Sequence, residues 1–472
     1  MTLVQIAALG VLAVLIGQLS RARQLALLAV STAVLFWIQP PQPLPTLGYW
    51  LPFGTLGLTI VSWLLTSGSE ARAWRQTWPA AAVIVAVVVL VELNRFAGPP
   101  LNAATLTPLP SQALLGALGV AGLVSILWRS RPGSPFLLVG LSGVIVLAFI
   151  VIKAPGITDT AAAWLQELPR GGEDIATDVP FSWLGFSYVA FRLLHTVRDR
   201  QAGRLPVVSL SEYVNYVIFF PAFTAGPIDR VERFVTDLRS PLQLQNDDWL
   251  EAGTRLIVGL FKKFVVAELL AVISVSDLLV EYVRSAGWMW LFVYAYALRI
   301  YFDFSGYTDM AIGMGRLLGV RLPENFDAPY LKHNIALFWN SWHMSLTQWF
   351  RFYVFNPLTR QLRSGRWVPP TWLAILITQL VTMLLIGLWH GITWGFAVWG
   401  IWHGLGLFAH NRWTEFARAR WPGGIQPAGA RRAAGILGAL LTFHFVAVGW
   451  LFFCLSTPAL AWKALLVLIG AA

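Results

Sequence analysis

Apolar runs recur along this chain at a spacing that separate water-facing cores do not produce. Residues 3–19, 25–37, 48–65, 80–93, 113–128 and 135–152 are almost free of charge, and several approach the ~20 residues a helix needs to cross a bilayer. Short basic loops separate them. Arg21 and Arg23, Arg72 and Arg75, Arg129 and Arg131, and Arg198, Arg200 and Arg204 all fall on one side of this alternation, which predicts that side to be cytoplasmic. The opposite loops set Arg95, Lys153 and Arg170 against Glu92, Asp159, Glu167, Glu173, Asp174 and Asp178, so the N-terminus is expected outside. The first run has no basic leader and no obvious small-residue cleavage site, which reads as a retained helix.

Beyond about residue 180 the pattern changes. Gly, Pro and charge interrupt the apolar segments at Phe219-Phe220-Pro221, Gly226-Pro227-Ile228-Asp229-Arg230, Phe261-Lys262-Lys263-Phe264 and Asp303-Phe304-Ser305-Gly306-Tyr307. Such breaks are tolerated at membrane depth where protein or a water-filled cavity satisfies the backbone, so broken helices around a cavity are expected here. Residues 334–363 mix Trp, Phe, His, Gln and Arg in one long helix-compatible run, which predicts an oblique helix against the cytoplasmic face. Residues 371–389 should then run outward, 394–408 return, and 435–453 with 459–470 close the bundle. The predicted fold is an all-α polytopic transmembrane bundle.

Composition agrees with that setting: 57% of residues are hydrophobic and 12% charged, and 24 Trp with 29 Phe suit interfacial belts and lipid-facing surfaces. The single cysteine, Cys454, excludes a disulfide framework and a Cys-based metal site. The net charge of +11 sits in short loops between apolar spans, the distribution of topology determinants and not of a nucleic-acid footprint.

Three of the seven histidines lie in aromatic, membrane-like surroundings: Trp342-His343, Trp389-His390-Gly391 and Trp402-His403. A neutral imidazole can take a proton from a hydroxyl as a new bond forms, and burial favours the neutral state. His390 is the leading candidate. It ends an apolar span, Gly391 permits close approach, and Trp389 and Trp394 are placed to wall a channel; the plainer reading is a hydrogen-bonded histidine at a helix end. His343 faces the same choice, and helical spacing would set it on one face with Trp339 and Thr347. His403 reads first as a packing residue among Gly400, Gly404 and Gly406. Asp303 and Asp309 are costly in apolar sequence unless paired, with Arg299, Arg316 or Arg321 as expected partners. Ser305 sits in no nucleophile elbow, and Ser341 diverges from His343 on a helix. The three histidines match no zinc-ligand spacing, so no metal is expected.

The runs 303–309 (DFSGYTD), 322–330 (LPENFDAPY), 338–345 (FWNSWHMS), 387–391 (GLWHG) and 400–404 (GIWHG), with Phe219-Phe-Pro221 and Gly226-Pro-Ile-Asp-Arg230 upstream, resemble the membrane-bound O-acyltransferases. The match covers roughly residues 210–411. It implies a catalytic core over 206–412, flanked by membrane helices at 1–205 and 413–472, with about 11 or more membrane helices, some broken or oblique, around a tunnel.

By motif, His390 and His343 are similar to the family's essential and second active-site histidines. Trp339, Asn340, Trp342, Trp389, Trp394 and Arg351 are expected to line the tunnel or bind the donor, with Asp303, Asp309 and His403 in support. The bacterial members this chain resembles work in the cytoplasmic membrane on the cell envelope, acetylating alginate-like polysaccharides or peptidoglycan or taking part in D-alanylation of teichoic acids. Both branches usually carry Arg-Asp-Tyr where this chain has Arg351-Phe352-Tyr353.

The expected reaction moves an acyl group, acetyl first, from a cytoplasmic thioester to a hydroxyl outside. The donor would be acyl-CoA or an acyl carrier protein, held by no tightly bound cofactor. Arg351, Arg360, Arg363 and Arg366 are placed to attract its phosphates, although such a basic cluster also follows from topology alone. An extracytoplasmic partner protein would receive the acyl group, or an envelope polysaccharide as final acceptor. D-alanyl transfer from a carrier is the alternative, and a transporter or flippase for lipid-linked sugars is the rival of another class.

Overall fold

Helices make up the regular structure of the described residues, apart from one isolated bridge between Phe326 and Trp342. The structure, a computed structural model, describes residues 2–471 except 20–21, 45, 95–106, 159, 161–180, 366–367 and 422–427. Arg21, Arg95, Asp159, Glu167, Arg170, Glu173, Asp174, Asp178 and Arg366, used above for topology or donor attraction, lie outside the described residues.

One compact unit comprises Met1–Ile257 and Asp309–Pro323. It contains α1 (Leu3–Gly17), α2 (Arg23–Trp37), α3 (Leu47–Thr66), α4 (Trp74–Leu93), α5 (Pro110–Trp128), α6 (Pro135–Lys153), α7 (Phe186–Gln201), α8 (Leu210–Val217), α9 (Val231–Arg239) and most of α10 (Asn246–Phe261). The first six follow the apolar runs closely, because uninterrupted apolar sequence can bury its backbone in lipid as a helix. α5 exposes Leu114, Leu115, Leu118 and Ile126, a surface suited to hydrocarbon. The break after α8 is satisfied by protein, as such a break requires: the buried Arg192 donates to the carbonyls of Val217 at 2.8 Å and Ala222 at 3.1 Å. Tyr213 Oη shares hydrogen bonds of 2.7 Å with Ser62 Oγ and 2.7 Å with Thr196 Oγ1, tying α3, α7 and α8 together.

The second unit comprises Val258–Thr308 and Glu324–Ala472. After the end of α10 come a π-helical turn at Lys262–Val266, α11 (Ala267–Val272), α12 (Asp277–Tyr282) and α13 (Ala286–Leu317). The interruption expected at Asp303–Tyr307 is absent, since those residues lie within the 32-residue α13. The interruption expected at Phe261–Phe264 is present, as the π turn at Lys262–Val266. A Cβ at Gly306 would lie 2.7 Å from the Gly259 carbonyl and 2.9 Å from Lys263 N, so the π turn and Gly306 accommodate each other.

The long helix expected over 334–363 is also broken, into α14 (Ile335–Trp339), α15 (Met344–Phe350), a π turn at Arg351–Phe355 and α16 (Asn356–Ser364). Then follow α17 (Thr371–His390), α18 (Trp394–Arg420), α19 (Ala428–Cys454) and α20 (Pro458–Leu468). α18 runs a dozen residues past the expected end at 408, because helix-compatible polar sequence continues it to Arg420. The core of α12, α13, α19 and α20 buries Val280, Met289, Val293, Leu451 and Val467.

Among the described residues, six helices are long and apolar enough to cross a membrane: α3, α4, α5, α6, α17 and the Gly429–Cys454 part of α19.

α17 and α18 form a hairpin with a three-residue turn, and glycine lets their backbones touch. A Cβ at Gly400 would lie 2.6 Å from the Met383 carbonyl, and one at Gly387 would run into the Phe396 carbonyl. Close small-residue approach is the main source of helix association where lipid competes equally for apolar side chains. Gly400→Val is therefore expected to lower stability by about 1–3 kcal/mol, read as an earlier thermal midpoint in detergent. Gly253→Ala, whose Cβ would meet nothing within 4 Å, should leave the midpoint unchanged or raise it.

Candidate active site

The hairpin sets His390 at the last position of α17. Thr393 starts α18, its hydroxyl accepting from Phe396 N–H at 3.5 Å. The His390 ring sits among aromatic neighbours, with ring centroids at 4.6 Å to Trp389, 4.8 Å to Phe453, 5.6 Å to Trp399 and 5.9 Å to Phe396, the last nearly parallel at 24°. The expected wall residue Trp394 is 78% exposed and makes none of these contacts. Phe396, two residues further along α18, takes that place.

His343 approaches the same group through Trp389, with centroids 6.1 Å apart. Phe304 of α13 lies on it edge to face at 4.6 Å. His343 is 2% exposed, and neither ring nitrogen has a hydrogen-bond partner among the described residues. It lies outside the candidate spans, in the break between α14 and α15, where burial pushes the imidazole down to about 3. It is therefore neutral near pH 7, with one N–H and one lone pair.

The helical spacing that would place His343 on one face with Trp339 does not hold, because the chain turns at 340–343. His343 is left-handed, with φ at +43°, a conformation that costs a non-glycine residue about 1–3 kcal/mol. Asn325 and Asp327 pair with the backbone on either side of it. Met344 N–H donates to the Asn325 carbonyl at 3.0 Å and Asp327 N–H to the Ser341 carbonyl at 3.1 Å, while Asn325 Oδ1 accepts from Ser345 N–H at 3.1 Å and Ser345 Oγ at 2.6 Å.

His403 is fully buried and more than a spacer among glycines. Its Nδ1 accepts from Trp339 Nε1 at 3.3 Å, which places its own proton on Nε2. Nε2 has no partner among the described residues and packs toward Gly449, whose Cβ would lie 3.0 Å away. Trp399 joins the two histidines of the hairpin, 4.9 Å from His403 and 5.6 Å from His390. Trp342 is buried against Phe338, Tyr330 and Trp450 at 5.6, 5.6 and 5.2 Å. His343, Trp389, His390, Trp399, His403 and Trp339 thus form a continuous series of ring contacts.

A cavity of about 230 Å³ lies beside this series, lined by Trp339, Asn340 and Arg351 on one side and by Thr382, Met383 and Ile386 of α17 on another. Arg351 donates to Asn340 Oδ1 at its edge. The three histidines are not in its wall; Ile386 stands one helical turn before His390.

The aspartates find other partners than those expected. In the second unit Asp303 meets Lys263, and in the first Asp309 meets Arg255 at 2.7 Å, because α10 and the turn after it lie alongside α13. Arg316 is engaged by Asp248 at 3.1 Å and Glu251 at 2.7 Å.

Sequence reasoning missed Asn325, Ser345, Phe304, Trp399 and Phe453, whose roles depend on contacts across long stretches of chain. It also missed a buried group in the first unit, whose local signal is the i, i+4 spacing of His195 and Asp199 beside Arg230. His195 Nε2 lies 3.5 Å from Asp199 Oδ2, and Asp199 accepts from Arg204 at 3.0 Å and Arg230 at 3.3 Å. His195, Asp199 and Glu232 bring ligand atoms within 4.8 Å of one another. Arg230, which also meets Glu232 at 3.5 Å, already supplies the positive charge there, so these residues fit an ion-pair network better than a metal.

Comparison with known proteins matches the model of the membrane-bound O-acyltransferase family to residues 148–457. The chain is 32% identical over 282 residues to the teichoic acid D-alanyltransferase of Streptococcus thermophilus, covering 58% of this chain and 68% of that protein. It is 31% identical over 338 residues to the probable alginate O-acetylase AlgI of Pseudomonas syringae pv. tomato, covering 71% and 60%. To the peptidoglycan O-acetyltransferase of Helicobacter pylori it is 30% identical over 294 residues, covering 58% and 51%.

The Trp339–His403 bond gives a direct expectation. Trp339→Phe keeps an aromatic ring but strands a buried acceptor, a loss of about 1–3 kcal/mol. An earlier midpoint of thermal unfolding in detergent would report it, and an unchanged midpoint would show that the bond contributes nothing to the fold.

Proposed function

From membership in the membrane-bound O-acyltransferase family, to which this chain belongs as an acyltransferase, we propose that it moves an acyl group, acetyl first, from a cytoplasmic thioester to a hydroxyl of an extracytoplasmic envelope polysaccharide or partner protein. The donor is acyl-CoA or the thioester of an acyl carrier protein. The bundle crosses the membrane about 11 times or more, with the reaction in a tunnel through its core. The observation that carries this reading is the meeting of His390 and His343 through Trp389, with a neutral, buried imidazole at His343 whose ring nitrogens have no side-chain partner among the described residues.

His390 acts as the base. Its ring nitrogen takes the acceptor's hydroxyl proton while that oxygen bonds to the thioester carbon; the carbonyl oxygen becomes negative, then the carbon–sulfur bond breaks and the departing thiolate recovers the proton from His390. The His343 N–H is free to donate to the oxyanion, a contact stronger in the transition state than in the ground state. Aromatic walls keep water away, which favours ester formation over hydrolysis of the thioester. The cavity beside Trp339 and Asn340 suits the donor arm, with Arg351 in its wall, and Arg360 and Arg363 of α16, as attractors for phosphate.

D-alanyl transfer to teichoic acid from a carrier protein is the second reading. It is favoured by the similarity to the Streptococcus protein, two thirds of which this chain spans.

Purified protein in proteoliposomes tests the reaction class. His390→Ala and His343→Ala should each lower acyl transfer from acetyl-CoA or an acylated carrier by about 10²-fold or more, with expression and monodispersity intact; turnover that survives both substitutions would contradict the proposal. Mass spectrometry of envelope polymers from a deletion strain separates the two readings, since loss of acetyl ester supports the first and loss of D-alanyl ester the second.

A further inference from the structure

The left-handed backbone at His343 is held by bonds to a distant segment. A strained conformation persists where its surroundings over-determine it, and strain of this kind collects at functional sites. Here the hold is local and complete. Ser341 before the histidine and Met344 and Ser345 after it are all bonded to residues 325–327, at 3.1, 3.0, 3.1 and 2.6 Å. Three of these four bonds end on Asn325. It is 0% exposed, so water has no access to replace them.

The same segment also builds one wall of the histidine's setting. Phe326 forms the isolated bridge with Trp342 and places its ring 5.1 Å from Trp342 and 5.1 Å from Phe304. Phe304 in turn lies 4.6 Å from His343. Backbone direction and ring environment at His343 are thus set together by a segment whose sequence carries no titratable group except Asp327 and Glu324.

We infer that Asn325, assisted by Ser345, is a positioning residue for acyl transfer: it locks the turn at 340–343 so that His343 faces Trp389 and the reacting atoms beside His390. This rests on the reading that His343 takes part in acyl transfer. Without the clamp, His343 is free to leave the left-handed conformation for the right-handed one that costs a non-glycine residue less. His343 would then swing away from Trp389, while the donor cavity, built from Trp339, Asn340, Arg351 and α17, keeps its α17 side. Loss of the clamp should therefore act on turnover more than on donor binding.

The test uses full-length protein in proteoliposomes, with kcat and KM for the thioester donor measured per folded molecule and folding checked by size exclusion and thermal unfolding. Asn325→Ala is expected to lower kcat at least about tenfold with KM within about twofold. Ser345→Ala removes the hydroxyl's bond to Asn325 Oδ1 and keeps the Ser345 N–H bond to the same oxygen, and should lower kcat about threefold. Should Asn325→Ala fail to fold, Ser345→Ala carries the test. An unchanged kcat per folded molecule, or a loss confined to KM, overturns the inference. His343→Ala is run alongside: if it is inactive while the clamp variants keep full turnover, the inference alone falls, and if it is fully active, the functional reading falls and the inference with it.

Discussion

Backbone-to-backbone contact between α17 and α18 at Gly387 and Gly400 is the constraint on which the candidate site depends. It holds two nearly identical runs, Gly-Leu-Trp-His-Gly at 387–391 and Gly-Ile-Trp-His-Gly at 400–404, against each other. The contact gives them different fates. Trp389 and His390 end up at the turn, facing His343 and Phe453, whereas Trp402 packs against α19, donating to the Phe445 carbonyl at 3.0 Å, and His403 receives Trp339. A side chain at either glycine would separate the helices and with them the ring contact that Trp399 of α18 makes to His390 of α17.

Around this hairpin, low polarity and close aromatic packing work in one direction. Buried imidazoles stay neutral because their charged form would lose its hydration, and a neutral imidazole is what a general base must be at the moment of attack. The same surroundings make an unsatisfied ring nitrogen costly. That His343 leaves both of its nitrogens without a partner among the described residues, on a strained backbone, is expensive for a residue whose task is packing. It is consistent with one whose partner arrives with substrate. His403 offers the contrast: one of its nitrogens is used inside the protein, and its work is to hold Trp339 at the cavity edge.

Much of the membrane architecture was legible in the sequence, because a bilayer forces long apolar runs into helices and a hydropathy pattern records that force almost directly. α1 to α3, α5, α6 and α17 fall within about three residues of their expected bounds and α4 begins about six residues early, and His390 and His343 each lie among aromatic rings, as the Trp beside each suggested. What could not be read is everything set by contacts between distant segments. Residues 334–363 have the composition of one helix, and it takes Asn325 to turn the chain at His343. Of the two interruptions expected at Phe261–Phe264 and Asp303–Tyr307, the first is the π turn and the second is unbroken helix, because Gly306 fits against that turn without a break of its own. Asp303 and Asp309 took partners from a neighbouring helix where reasoning along their own segment offered Arg299, Arg316 or Arg321. Trp394, adjacent to the site in sequence, points out of it, because the turn at 391–393 brings Phe396 inward.

The most direct measurement of the central claim is an experimental structure of the protein with a non-hydrolysable thioester analogue and a hydroxyl acceptor bound together. The account predicts the acceptor oxygen within about 3.2 Å of a ring nitrogen of His390, and the analogue's carbonyl oxygen directed at His343. Both ligands bound with His390 facing lipid, or sealed off from the acceptor by its aromatic neighbours, would contradict it.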